Sequence, residues 1–382
     1  MISCGYEVVM MNLESHAPQP DAVYPQFAGR LGAWCLVALL TLVALTVAPS
    51  SSAQSSESDP AAVVQELYKA FGENDLQEIL SLVHPEVAWV FHGPEHRIPY
   101  AGTFKGRAGV EQFFTLIAET IAVQAIGQRH YSVEDDVVSV LGWERAVHRR
   151  TGGEYQADWV HVFTVRDGLI VRFEEITDSG ELIEAFAPAD SERGKAYFTT
   201  CVACHGIDGG GNPAMHAPNL TIQGIDYLVR QLRHFREDVR GGVTDFYGWQ
   251  MNGRAKALSG DRAVRDVAAY IESLPDVHAP GTLGGNAERG QEVYASQCVS
   301  CHGENGEGMP QLGAPALAGL QDWYQLTQIR NFQNELRGSH EQDVRGSQMR
   351  PFAVALADEE ATRNVLAYIA TLKGASIPLQ DE

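Results

Sequence analysis

The amino-acid sequence predicts a multidomain chain of 382 residues: one α+β unit followed by two all-α units built to a common plan. Three observations carry that expectation. Residues 60–187 show apolar residues at helical spacing first and alternating, strand-like runs afterwards. A pentapeptide with two cysteines and a histidine occurs twice, as Cys201-Val202-Ala203-Cys204-His205 and Cys298-Val299-Ser300-Cys301-His302. The segments around the two copies repeat in register, which marks residues 192–275 and 287–374 as duplicated units.

Charge and cysteine usage narrow the class. A formal net charge of -21 sets nucleic acid aside as a partner, because phosphates would be repelled, and suits a protein that docks on a basic surface. Of the six cysteines, Cys4 and Cys35 lie near the N-terminus and the other four sit in the pentapeptides. No thiol remains for a structural disulfide.

In chain order, Leu31 to Ala48 is an apolar run, preceded by Arg30 and followed by Pro49 and Ser51-Ser52-Ala53. It reads as the core of a signal peptide over residues 1–53 with a small-residue cleavage site. Left uncleaved, its 18 residues suffice for an N-terminal membrane anchor. Glu7, Glu14 and Asp21 are poor company for a positive leader and point to a start nearer Met10 or Met11, or later. Either route puts the rest of the chain outside the cytoplasm, which predicts a periplasmic protein.

Residues 54–59 are a polar tether, and from Pro60 the α+β unit begins. Val63, Val64, Leu67, Tyr68 and Phe71 recur at helical spacing, and Asp75 caps a second short helix through Leu82. His84-Pro85 is expected to end it, with a strand over Val87 to Phe91 and a third amphipathic helix from Gly106 to Ile121. Strands follow at Val137 to Arg149, Tyr155 to Arg166 and Leu169 to Thr177, joined by the hairpin turns Gly152-Gly153 and Asp167-Gly168. Ser179 to Phe186 closes the unit as a helix.

Pro99-Tyr100-Ala101-Gly102-Thr103-Phe104-Lys105-Gly106-Arg107, the Phe113-Phe114 helix and the stretch from Trp159 to Ile170 resemble the SnoaL-like family of the NTF2-like superfamily. The resemblance covers residues 60–187 and implies an α+β cone. Such cones host isomerases, cyclases, dehydratases and binding modules, so function does not follow from the fold. Strand alternation sets Trp89 and Phe91 opposite His92, and Asp158 opposite Trp159 and His161, without saying which face is inward. His92, Asp158, His161 and Glu174 are the candidates for an acid–base group in the cone. A polar-lined pocket without catalysis is the plainer reading.

After the linker at 187–191 the duplication begins. Cys201 answers Cys298 at an offset of 97, as do Ala217-Pro218 and Ala314-Pro315, Tyr227 and Tyr324, Phe235 and Phe332, and Arg240-Gly241 and Arg337-Gly338. One insertion then shifts the offset to 98, pairing Met251 with Met349 and Tyr270-Ile271 with Tyr368-Ile369. Residues 276–286 link the copies. Two cysteines three apart with histidine next are the attachment sequence of c-type haem: each thiol adds to a vinyl group and the histidine lies under the iron. A zinc site or a redox dithiol would not need that histidine after each pair. Two covalently bound haem c groups, each with one iron, are therefore expected at Cys201, Cys204, His205 and at Cys298, Cys301, His302.

Helix, pentapeptide, glycine-rich loop, middle helix, methionine loop and a closing helix ending Tyr-Ile-x-x-Leu together resemble the tandem dihaem branch of class I cytochromes c over about residues 190–374. The fold class is thus an NTF2-like cone followed by two all-α class I cytochrome c domains. The resemblance implies that the carbonyls of Pro218 and Pro315 accept the N–H of His205 and His302. Met251 and Met349, 46 and 47 residues after those histidines, are expected as the sixth iron ligands. Met215 and Met309 are rivals that do not align with one another, and His216, His234 and His340 are not duplicated in register.

Two irons with both axes filled leave no open position, so the chain is expected to carry electrons rather than to act on a substrate at the metal. Expected partners are a quinol-oxidising complex, a periplasmic dehydrogenase or a terminal oxidase. For the cone three readings stand: a small organic ligand, a homodimer contact, or an isomerase-, cyclase- or dehydratase-type enzyme coupled to the haems. The chain as the cytochrome subunit of a dehydrogenase is a further alternative.

Overall fold

A computed structural model describes residues 59–356 and 358–373. The expected leader or anchor over residues 1–53 lies outside the described residues. Among the described residues no helix is long and apolar enough to cross a membrane.

The first unit opens with helices α1 (Pro60–Gly72) and α2 (Leu76–Leu82), started by the side chains of Asp59 and Asp75, which accept from Ala61 N and Glu78 N. Strands β1 (Val83–His92) and β2 (Gly102–Lys105), helix α3 (Gly106–Thr120), strands β3 (Ile121–Glu134), β4 (Val137–His148), β5 (Glu154–Arg166) and β6 (Leu169–Thr177), and helix α4 (Ser179–Phe186) follow. The sheet order is β2-β1-β6-β5-β4-β3. Only β1 and β6 run parallel; the other neighbours are antiparallel. The inner face of this curved sheet and the apolar faces of α1 and α3 enclose one core that includes Trp89, Phe91, Phe113, Trp159, Phe163 and Phe173.

Two expectations are corrected here. Strand β1 begins at Val83 and passes through Pro85, because the ladder to β6 breaks between Val83 and Ala88 and asks no N–H of the proline. Strand β3, the longest at 14 residues, was missing from the sequence reading. It is an edge strand with only Ile121 fully buried, so neither face is apolar enough to alternate.

The duplicated units are all helical. The first holds α5 (Ser191–Phe198), α6 (Val202–His205), α7 (Ile225–Arg236), α8 (Phe246–Lys256) and α9 (Gly260–Glu272). The second repeats them as α10 (Ala287–Gln297), α11 (Val299–His302), α12 (Asp322–Gln333), α13 (Val344–Ala355) and α14 (Glu359–Ile369). In each, the first helix crosses the last at a glycine: a Cβ on Gly194 would collide with the carbonyl of Asp266, and one on Gly290 with that of Asn364. Close crossing of backbones explains the repeated Glu-Arg-Gly.

Cone and duplicated units belong to one body. Arg233 of α7 pairs with Glu154 of β5 at 2.6 Å and Asp261 of α9 at 2.7 Å. Arg265 of α9 donates to the carbonyls of Glu184 and Ala187 at the end of α4. The cone is thereby fastened to the first duplicated unit.

Candidate cofactor site

Each pentapeptide forms one helical turn that buries its histidine, leaving His205 4% and His302 6% exposed. His205 Nδ1 lies 2.8 Å from the carbonyl of Pro218, and His302 Nδ1 2.9 Å from that of Pro315. A carbonyl can only accept, so Nδ1 carries the proton and Nε2 keeps its lone pair. Burial holds both imidazoles below the usual histidine range, the carbonyl contact opposing it. Neutral imidazole with a free Nε2 is the form that ligates a metal.

The loop after each histidine turns at a glycine in the left-handed region, Gly206 at φ 80° and Gly303 at φ 81°. The loops fold back so that Gly211 N and Gly308 N each donate 2.8 Å to the histidine carbonyl. The closest neighbours of Gly211 and Gly308 are the backbones of Pro218-Asn219 and Pro315-Ala316, so these glycines bring the proline segment to the histidine.

Both pentapeptides open into one cavity of about 690 Å³ shared by the two units. Cys201, Cys204, His205 and Met251 line it from the first, and Cys298, Cys301, His302 and Met349 from the second. Met251 sits on α8 and Met349 on α13, helices started by Asp245 and Asp343, whose carboxylates accept from Gly248 N and Gly346 N. Burial pushes the Cys201 thiol up and the Cys298 thiol to about 11, so both are poor thiolates. Of the rival ligands, Met215 and His216 also line the cavity, His234 faces Asp343, and His340 is exposed.

The seam between the units carries residues that sequence reasoning missed as a site, although Arg240 and Arg337 stood out as a repeat. Arg240 donates to Gln231 of its own unit (2.6 Å) and to Tyr324 (3.0 Å) and Gln328 (2.7 Å) of the other. Arg337 returns the pattern, to Gln328 (3.1 Å), Gln231 (3.1 Å) and Tyr227 (3.5 Å). Each guanidinium also lies 4.6 Å over a ring of its own unit, Phe235 or Phe332. Both arginines are buried, no carboxylate is among these partners, and the Nε of each has no partner. A buried cation with no carboxylate in contact is costly, Asp245 acting on Arg240 only at longer range. A porphyrin bearing two carboxylates supplies that charge, so the cavity fits haem at its polar seam as well as at its thiols and imidazoles.

In the cone, only one of the four expected acid–base residues is interior. His92 and Glu174 pair at 3.1 Å on the outer face, and Asp158 pairs there with Arg129 at 3.0 Å. Inward-facing residues are β5's Trp159 and His161, whose rings stack at 3.8 Å. Around His161 stand groups the sequence reading passed over: Tyr68 OH at 2.8 Å from Nδ1, Glu175 at 3.4 Å from Nε2, and Glu144, which accepts from Tyr155 OH at 2.8 Å. Burial, then the charge of Glu175, raises the Glu144 carboxyl to about 7, against the Tyr155 hydrogen bond. Alternation outward from Val138 and Val140 would have put Glu144 inside.

A SnoaL-like domain model matches residues 64–173, and a cytochrome c model matches 191–275 and 287–373. Cytochrome c4 of Stutzerimonas stutzeri is 30% identical over 191 residues, 46% of this chain and 86% of that protein. A thiosulfate dehydrogenase electron acceptor of Thiomonas intermedia is 30% identical, over 48% of this chain and 83% of its own. A cbb3-type cytochrome c oxidase subunit FixP of Azorhizobium caulinodans is 34% identical, over 38% of this chain and 48% of its own.

Proposed function

The chain belongs to the dihaem class I cytochromes c of the cytochrome c4 type, with a SnoaL-like domain ahead of the repeat, and from that premise we propose how its residues carry electrons between exported redox partners. It is an electron-transfer protein with two covalently bound haem c groups. Bound haem supplies a one-electron iron couple; the chain supplies burial, ligands and a docking surface. Cys201 and Cys204, and Cys298 and Cys301, tether the two porphyrins. His205 and His302 would give Nε2 to the irons, with Pro218 and Pro315 fixing the tautomer, and Met251 and Met349 would supply the remaining protein ligands. The observation that supports this ligand set is its two-fold repetition in one cavity: the same histidine-to-proline contact and the same capped methionine helix occur in each half.

The apolar run at 31–48 supports export to the periplasm. The relatives' printed roles support a dehydrogenase as donor and a terminal oxidase as acceptor, and a quinol-oxidising complex fits the same place. The cone is read as a module fixed to the first half, whose outer sheet exposes Leu141 and Ile176 beside the Arg129–Asp158 pair, a face suited to a second copy. A second reading, acid–base chemistry on a small organic ligand, is favoured by the buried His161, Glu175 and Glu144.

The ligand assignment is tested by spectra at controlled potential. A thioether-to-iron band in the far red is expected in the wild type, halved in Met251→His or Met349→His and gone in the double variant. Each substitution lowers one midpoint potential by on the order of a few tenths of a volt. A wild type without the band overturns the methionine ligands.

A further inference from the structure

The two halves cross at their helix caps, and there the symmetry breaks. Asp245, which starts α8, receives Asn331 Nδ2 of α12 at 3.3 Å. Asp343, which starts α13, faces the equivalent position on α7, and that position is histidine: His234 Nδ1 lies 3.7 Å from Asp343 Oδ1, beyond hydrogen-bond length. His234 is 9% exposed and Asp343 also accepts from Gly338 N and Gly346 N, so the carboxylate is fixed and the imidazole is enclosed. One half has an amide where the other has a titratable ring, in otherwise matched surroundings.

We propose that His234 is a redox-linked proton site: it takes a proton from solvent when the second half gains its electron and returns it when the electron leaves. The inference rests on the dihaem reading above. The groups that act on His234 are Arg230 of its own helix, Arg240 after α7, Arg337 after α12 and Asp343 at the start of α13. Without cofactor its imidazole is held down to about 4, by burial first, with Asp343 opposing and the three arginines adding to it. Haem carboxylates held by Arg240 and Arg337 would withdraw that repulsion and bring the ring nearer its ordinary range. Reduction removes one positive charge from the same cavity, which raises proton affinity at a buried neighbour about tenfold. By linkage the proton favours reduction by the same factor. Asp343 and the proposed ligand Met349 share α13, so the coupled half is the second.

The experiment is a redox titration of the full dihaem protein from pH 4.5 to 8.5. One of the two one-electron waves is expected to shift with pH: its reduction constant falls about tenfold between the acid and alkaline plateaus. The other wave stays flat. In H234N, which copies Asn331, both waves are flat, and in N331H both move. Two flat waves in the wild type, or a pH-dependent wave that persists in H234N, overturn the proposal. A colourless protein would instead fail the dihaem reading on which it rests.

Discussion

The same ion-pair triad occurs in both duplicated units, buried in one and solvated in the other. In the first, Arg233 and Arg265 flank Asp261 with side chains 12%, 3% and 11% exposed. In the second, Arg330 and Arg363 flank Glu359 at 50%, 37% and 51%. What differs is the cone, which covers the first triad and adds Glu154 to it. The carbonyl that Arg265 finds at the end of the cone, Ala187, is replaced for Arg363 by Leu283 of the inter-unit linker. The cone is thus docked on a feature that the repeat already possesses. Equal chemistry in unequal dielectric gives unequal energies, because desolvation makes an unpaired charge expensive and water makes a paired one cheap to lose.

The largest expected effect lies at the covered triad. Arg233→Ala leaves Glu154 without its cation and Asp261 with Arg265 alone. Burial, then Asp261, already pushes the Glu154 carboxyl up, against Arg233, which lowers it. The loss is expected to be about 3 kcal/mol near neutral pH. It should be larger in alkali and smaller in acid, where the raised Glu154 carboxyl takes a proton and no longer needs the cation. Denaturant unfolding with a cone tryptophan signal and haem absorbance followed together checks it: the cone transition should separate from the cytochrome transition.

Glu144→Gln separates the cone's own stability from that of the joint, since Glu144 lies inside the sheet. A carboxyl raised from about 4.5 to about 7 in the fold is bound more tightly to its proton there than in the unfolded chain. Its stabilising contribution is therefore complete below pH 4.5, and is lost as pH rises to 7. The glutamine variant should match the wild type at pH 4 and exceed it by up to about 3 kcal/mol at pH 8. Thermal unfolding across that range reads the difference. A variant less stable at pH 8 would place Glu144 in a charged role.

How much of this was legible follows the kind of signal each residue leaves. The pentapeptides carry their own chemistry, and the offset of 97 then 98 gave the equivalence of the halves without coordinates. The pairing of Met251 with Met349 followed from that register, and both line the shared cavity. Within the cone, alternation found β4, β5 and β6 but left inside and outside undecided, so His92, Asp158 and Glu174 were grouped with His161 across the sheet. Helix α4 buries Leu182, Ala185 and Phe186, and its apolar pattern located it. Strand β3 has no such face. The cross-seam contacts of Arg240 and Arg337, and the cone's hold on Arg233, join residues some 80 to 110 positions apart. No local pattern encodes partners at that separation; they exist only after the helices pack.

The smallest effect completes the comparison. Arg330→Ala removes the second triad's counterpart of Arg233, but both its partner and its own side chain are half in water. Arg363 still pairs with Glu359 one helical turn away at 2.6 Å, and Arg363, ahead of Arg330, is the first cause that holds the Glu359 carboxyl low. Exposed pairs of this type contribute about 0.2–1 kcal/mol, less in salt. The expected change in the cytochrome transition is slight at low ionic strength and absent at 1 M salt. If instead Arg330→Ala costs as much as Arg233→Ala, the triad's energy belongs to the repeat itself. The cone would then cover the first triad without changing what it contributes.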